Sequence, residues 1–83
     1  MATITLHNYV DDTYFDVSDV DLDKDTPGGL IAAALEHGVL DKRIGTFLMA
    51  DKKGRPILHD EPLSHFGVED GDKVTVLGRP TIN

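Results

Sequence analysis

Cysteine is absent from this chain, and that removes disulfides, thiolate metal ligands and thiol catalysis together. It also removes iron–sulfur chemistry, whose clusters are held by cysteine thiolates. No apolar run approaches the ~20 residues that a membrane helix needs. The opening residues Met1-Ala2-Thr3-Ile4-Thr5-Leu6-His7 lack both the charged start and the long apolar stretch of a secretory signal. A cytoplasmic protein with no direct membrane insertion is the expectation. Positive charge is scarce as well: eight Lys and Arg stand against fifteen Asp and Glu, a net charge of −7. A phosphate backbone repels such a chain, so nucleic acid is not expected as a partner, whereas a protein with a basic surface is. The deficit is uneven. Residues 1–41 hold nine acids and one base, and residues 42–83 hold seven bases and six acids.

Eighty-three residues allow one domain with one modest core, since a chain this short buries only ~60% of its unfolded surface. No repeat, linker or low-complexity segment interrupts it. Thr3-Ile4-Thr5-Leu6-His7 alternates, with Ile4 and Leu6 on one face. A turn near Asp11-Asp12-Thr13 leads to a second strand starting at Thr13, with Phe15 and Val17 inward. After Val17 the apolar set shifts to Val20 and Leu22, a one-residue slip that predicts a bulge or bend.

Thr26-Pro27 is a strong helix start, because threonine caps the free amides and proline suits the first helical position. Leu30, Ile31, Ala34 and Leu35 share one helical face, and Gly38 is placed to end a helix that begins at Pro27 and reaches His37. Gly45-Thr46-Phe47-Leu48-Met49-Ala50 reads as a third strand with a turn at Asp51-Lys52-Lys53-Gly54, and Ile57-Leu58 as a short fourth with Pro56 at its edge. Leu63-Ser64-His65-Phe66 reads as an irregular or 3₁₀ turn that sends Leu63 and Phe66 inward. Asp70-Gly71-Asp72 is a turn, and Lys73-Val74-Thr75-Val76-Leu77 alternates as the closing strand. The expected core is Ile4, Leu6, Phe15, Val17, Leu30, Ile31, Ala34, Leu35, Phe47, Met49, Leu63, Phe66, Val74 and Val76.

Candidate chemistry is sparse. Asp19, Asp21 and Asp23 alternate as calcium ligands do, but Lys24 stands where an EF-hand needs glycine and Leu30 where it needs glutamate. A solvated strand edge running into a helix N-terminus explains the same acids. His7, His37, His59 and His65 are scattered, and His37 suits the end of a helix on charge alone. Ser18 and Ser64 lack the setting of an activated nucleophile, and Gly28-Gly29 lacks the lysine and spacing of a phosphate loop. With no nucleophile–base pair and no cofactor fingerprint, neither catalysis nor a cofactor is expected.

The closing segment, P-L-S-x-F-G-V-x-D-G-D-x-V-x-V over residues 62–76, resembles the last segment of ubiquitin-like β-grasp domains. Element order and spacing are similar to ubiquitin over nearly the whole chain. A finer resemblance is to YukD/EsaB-type bacterial ubiquitin-like proteins, associated with type VII secretion. It rests on T-L-H-N-Y-x-x-x-T-Y-F-D-V (residues 5–17), L-I-A-A-A-L (residues 30–35) and L-S-H-F-G-V-E-D-G-D-K-V-T-V-L (residues 63–77). The resemblance implies an α+β β-grasp fold of ββαβββ order, its mixed sheet of four or five strands packed on one main helix. A right-handed crossover then sets the first and last strands side by side. The domain is expected to span residues 1–77, with a flexible tail at 78–83.

Two functional readings follow. Sheet parity turns Leu48 outward on the third strand, and Thr75 and Leu77 outward on the fifth. In the implied sheet these strands are neighbours, and ubiquitin-like proteins commonly dock partners on that face. The leading expectation is therefore a non-catalytic, YukD-like adaptor of a secretion or other multiprotein complex. The alternative is a covalent modifier precursor, because Gly78-Arg79-Pro80-Thr81-Ile82-Asn83 fills the place of ubiquitin's tail. Ile82 and Asn83 stand where that tail carries its two glycines, so this reading needs processing, with Gly78 the one glycine available as a new terminus. Gly78, Arg79 and Asn83 are the residues it depends on.

Overall fold

The computed structural model describes residues 1–80. Five strands and one main helix follow one another as β1 (Ala2–Asn8), β2 (Thr13–Val20), α1 (Pro27–Glu36), β3 (Ile44–Ala50), β4 (Pro56–Ile57) and β5 (Lys73–Pro80), with a 3₁₀ turn at Leu63–Phe66 before β5. The sheet order is β2-β1-β5-β3-β4. β1 and β5 run parallel at its centre, and the other neighbouring pairs are antiparallel. The crossover expected from the sequence is thus present, and the sheet is mixed.

Alternation in the strands produces this layering. Ile4 and Leu6, Val74 and Val76, Phe47 and Met49, and Ile57 are all buried, and Leu30, Ile31 and Ala34 of α1 join them in one core cluster. Each of these side chains other than Ala34 contributes about 1.5–3 kcal/mol by leaving water. Thr26 caps α1, its hydroxyl accepting from the Gly29 amide at 3.1 Å, and Pro27 opens the first turn. The predicted slip in β2 is a bulge: Ile4 pairs with Val17 but Ala2 with Val20, and Asp19 takes φ 59° to absorb the extra residue.

The segment between β4 and the 3₁₀ turn is tied to the start of α1. The Gly28 amide donates to the His59 carbonyl at 2.9 Å, Leu63 to Asp25 at 3.0 Å and Ser64 to Leu22 at 2.8 Å. The completely buried Leu63 is thereby lodged in the core. At the β3–β4 turn the buried Asp51 accepts from the amides of Lys53 and Arg55, both at 2.9 Å, and from the Arg55 guanidinium at 2.8 Å.

Four expectations need correction. Phe15 is 42% exposed rather than buried. Its parity is as expected, opposite Leu6, but β2 is an outer strand and its side chains reach past the margin of the core. Val17, Leu35 and Phe66 are partly buried and pack against the core instead of lying within it. Ala2, Val20, Leu40, Ala50, Ile57 and Val68 are buried in addition to the expected set. β5 continues past Leu77, so that Gly78 and Arg79, expected in a tail, pair with Phe47 and Thr46 of β3. Asn83 and Ile82 lie outside the described residues.

Candidate docking face

The face of the sheet turned away from α1 is built by the outward residues of the central strands. Leu48 of β3 stands directly opposite Leu77 of β5, and Ala50 opposite Thr75. Leu48 is 42% exposed, while Thr75 and Leu77 are half-buried. Apolar side chains directly opposite on antiparallel strands lie close enough to make one surface. A depression of about 430 Å³ opens there, its lining including Leu48, Leu77, Thr46, Arg79 and His59.

Tyr9 extends this surface, and the sequence reading missed it. It continues the outward series Thr5, His7 along β1, and its amide donates to the Val76 carbonyl at 3.0 Å, which sets it beside the Leu77 end of β5. Tyr9 is 64% exposed. The signal was available: carrying the alternation two residues beyond His7 reaches it.

Bases rim the face. Lys73 and Arg79 belong to the same outward series of β5 as Thr75 and Leu77, and Arg79 is exposed. Farther toward β2, the His7 ring stacks on Tyr14 at 4.4 Å with the planes 9° apart. The Lys73 ammonium lies 5.9 Å from the Tyr14 ring centre, within cation–π range. The His7 Nε2 is 2.8 Å from an Asp12 carboxylate oxygen.

Solved structures share the fold. The chain superposes on the ubiquitin of Caldiarchaeum subterraneum with a TM-score of 0.75 and 22% identity, covering 99% of this chain and 98% of that one. For the UBL domain of Plasmodium falciparum Dsk2 the values are 0.72 and 19%, over 93% and 96%. For a ubiquitin-like protein from the same archaeon they are 0.57 and 23%, over 98% and 99%. The fold is the ubiquitin-like β-grasp. No family model and no curated protein sequence matches the chain.

Within this ubiquitin-like domain, the other sequence candidates fall apart. Asp19 sits at the β2 bulge. Asp21 accepts from the Asp23 amide at 3.1 Å, and the Asp21 amide donates to the Asp25 carboxylate at 2.8 Å. These acids cap a turn, and among the described residues no three His, Asp or Glu side chains gather as metal ligands would. Gly78 is packed rather than free: a Cβ there would come within 3.0 Å of an Ile44 methyl and 3.1 Å of a Val10 methyl.

Proposed function

We propose that this ubiquitin-like domain is a non-catalytic docking protein that holds partner proteins on its Tyr9–Leu48–Leu77 face. The observation that carries the reading is the direct pairing of Leu48 with Leu77 on the side of the sheet opposite the helix. Apolar side chains there contribute nothing to the core and gain most by leaving water at an interface. Lys73 and Arg79 at the rim orient the partner rather than supply the bulk of the affinity. The resemblance of residues 5–17, 30–35 and 63–77 to YukD/EsaB-type proteins supports a cytoplasmic adaptor of a bacterial type VII-like secretion complex or other multiprotein complex.

The test is co-purification from the native cells. Leu48→Asp and Leu77→Asp are each expected to release the partner while leaving the amide spectrum of the domain native-like. Unchanged co-purification would refute the docking face, and an unfolded variant would refute the parity on which it rests.

The modifier alternative gains less support from the geometry. Gly78 pairs with Phe47 inside the sheet, so a chain ending at Gly78 would keep its terminal carboxylate against β3, out of reach of an activating enzyme. Intact mass of the protein from its own cells separates the two. Heavier species carrying an isopeptide- or ester-linked partner are expected only of a modifier.

A further inference from the structure

The β4 edge lies at the opposite end of the sheet from the acidic β2, and positive charge gathers there. Lys52, Lys53 and Arg55 place three of the chain's eight bases within four residues. Their turn is held from inside, because the buried Asp51 carboxylate accepts from the Lys53 and Arg55 amides and from Arg55 Nε. Lys52 is engaged by Asp72 at 3.4 Å. Lys53 is exposed and forms no ion pair among the described residues. Arg55 is anchored to Asp51 through Nε alone. Among the described residues its two terminal nitrogens have no hydrogen-bond partner, and together they form a fork matched to a carboxylate.

Beside Arg55 a depression of about 400 Å³ opens between β4 and the 3₁₀ turn. Pro56, Ile57 and Phe66 give it apolar surface, with Arg55 and His65 beside them. Asp51 also lines it, but that carboxylate is already occupied by the bonds above. The walls are braced, since the Leu63 and Ser64 amides tie the 3₁₀ turn to the carbonyls of Asp25 and Leu22. Backbone pairing has little to work with at this edge. β4 is two residues long, and Pro56 has no amide to donate. An occupant is therefore held by its side chains.

We infer that this depression binds an acidic segment of a partner protein. One large apolar side chain of the segment seats against Pro56 and Phe66, and a neighbouring Asp or Glu takes the terminal nitrogens of Arg55. Charge and shape together select this occupant. A basic segment would set cations against Arg55 and Lys53, and a bare phosphate would leave the apolar surface in water. The net charge of −7 opposes an acidic partner as a whole. Strand order nevertheless keeps β2 and its aspartates at the far edge, and at physiological salt charges more than ~8 Å apart are largely screened. An adverse charge stands closer: the Glu61 carboxylate lies 3.6 Å from His65 Nδ1. The depression shares no lining residue with the one at Leu48 and Leu77, so either reading can fail without the other.

The experiment is an amide NMR titration of the full chain with the synthetic peptide SEDFEDS. Its uncharged counterpart SQNFQNS and the glycine version SEDGEDS serve as comparisons. SEDFEDS is expected to give saturable shifts at Lys53, Gly54, Arg55, Ile57, His65 and Phe66 at roughly millimolar peptide. SQNFQNS should not bind, and SEDGEDS should bind several-fold more weakly. Arg55→Gln should weaken SEDFEDS about tenfold or more. Because Arg55 also holds Asp51, two exposed positions keep the test independent of folding. His65→Glu should abolish binding, and Glu61→Gln should tighten it several-fold, whereas Leu48→Asp should leave it unchanged. Absence of saturable shifts, or shifts that map to Leu48 and Leu77, would overturn the assignment. So would equal binding of SQNFQNS, the same shifts from inorganic phosphate alone, or weaker binding by Glu61→Gln. Concentration-dependent shifts of these amides without peptide would give the site to a second copy and overturn it as well.

Discussion

Gly28 and Gly29 are adjacent, both lie in the first turn of α1, and both cost a helix about 1 kcal/mol relative to alanine. On propensity alone, replacing either should stabilise the protein by that amount. Packing separates them. A Cβ at Gly28 would lie 2.8 Å from the His59 carbonyl oxygen and 3.1 Å from the His59 Cβ. The same carbonyl accepts the Gly28 amide at 2.9 Å, so relieving the overlap strains the bond that ties the 57–66 segment to the helix. Overpacking against backbone costs typically 1–3 kcal/mol, and a weakened hydrogen bond adds about 1 kcal/mol. Against the propensity gain, Gly28→Ala should destabilise by about 1–3 kcal/mol.

At Gly29 the nearest atom to a new Cβ is the Thr26 hydroxyl oxygen, at 3.2 Å. That atom sits on a side chain able to give by a few tenths of an ångström, so Gly29→Ala should fall within about 0.5 kcal/mol of the parent. Urea unfolding of the two variants reads the difference as midpoints at unchanged slope. In a domain of this size Gly28→Ala should also lower Tm by roughly 4–8 °C per kcal/mol. If Gly28→Ala proves as stable as Gly29→Ala or more so, the close approach of His59 does not hold the helix in place.

Three further outcomes follow. Thr26→Ala removes the hydroxyl that accepts from the Gly29 amide and should cost about 0.5–2 kcal/mol in the same urea assay. Leu63→Ala, at a fully buried position, should cost about 2–5 kcal/mol, whereas Leu48→Ala should stay within about 0.5 kcal/mol in chemical unfolding. The Asp51 carboxyl is held below its usual pKa, first by the Arg55 amide and then by the Lys53 amide and the Arg55 guanidinium, against a burial that pushes it up. A carboxyl depressed by folding stabilises above its unfolded pKa of ~3.9, and that contribution is lost as pH falls through the folded value. Asp51→Asn should therefore lower Tm at neutral pH, and its Tm curve should approach the parent's in acid.

The sequence was most legible where local chemistry and periodicity coincide. Thr26-Pro27 and Gly38 bracket α1 nearly to the residue, and the shift from Val17 to Val20 located the β2 bulge. Residues were lost where burial depends on what lies above them. Phe15 has the inward parity of Leu6, yet only strand order reveals that β2 is an edge with α1 set back from it. Leu40 and Val68 sit in connections with no period to read, and they are buried because the chain folds back over the core. Gly78 and Pro80 were expected in a flexible tail, but the pairing with β3 carries β5 through them. On the candidate face, Leu48, Thr75 and Leu77 followed from parity, whereas Tyr9 lies just past the end of β1 and needed the alternation carried beyond it.

Topology also determines what becomes of the charge imbalance along the chain. The sheet order β2-β1-β5-β3-β4 keeps the two strands of the acidic half on one side and the three strands of the more basic half on the other. Had β5 paired outside β2, Lys73 and Arg79 would lie among the aspartates and neutralise them. Instead the β2 edge keeps its aspartates, with Lys73 of β5 reaching over Tyr14, while Arg79 stays beside Leu48 and Leu77. The contrast in charge matters most during diffusional encounter. The same aspartates oppose the self-pairing that an open, partly apolar edge invites, as charged residues do on exposed edges generally. Replacing Asp16 and Asp19 together by Asn should therefore let the edge pair with its own copy, and sedimentation at high protein concentration should reveal self-association that the parent lacks. A double variant that stays monomeric would show that these aspartates do not guard the edge.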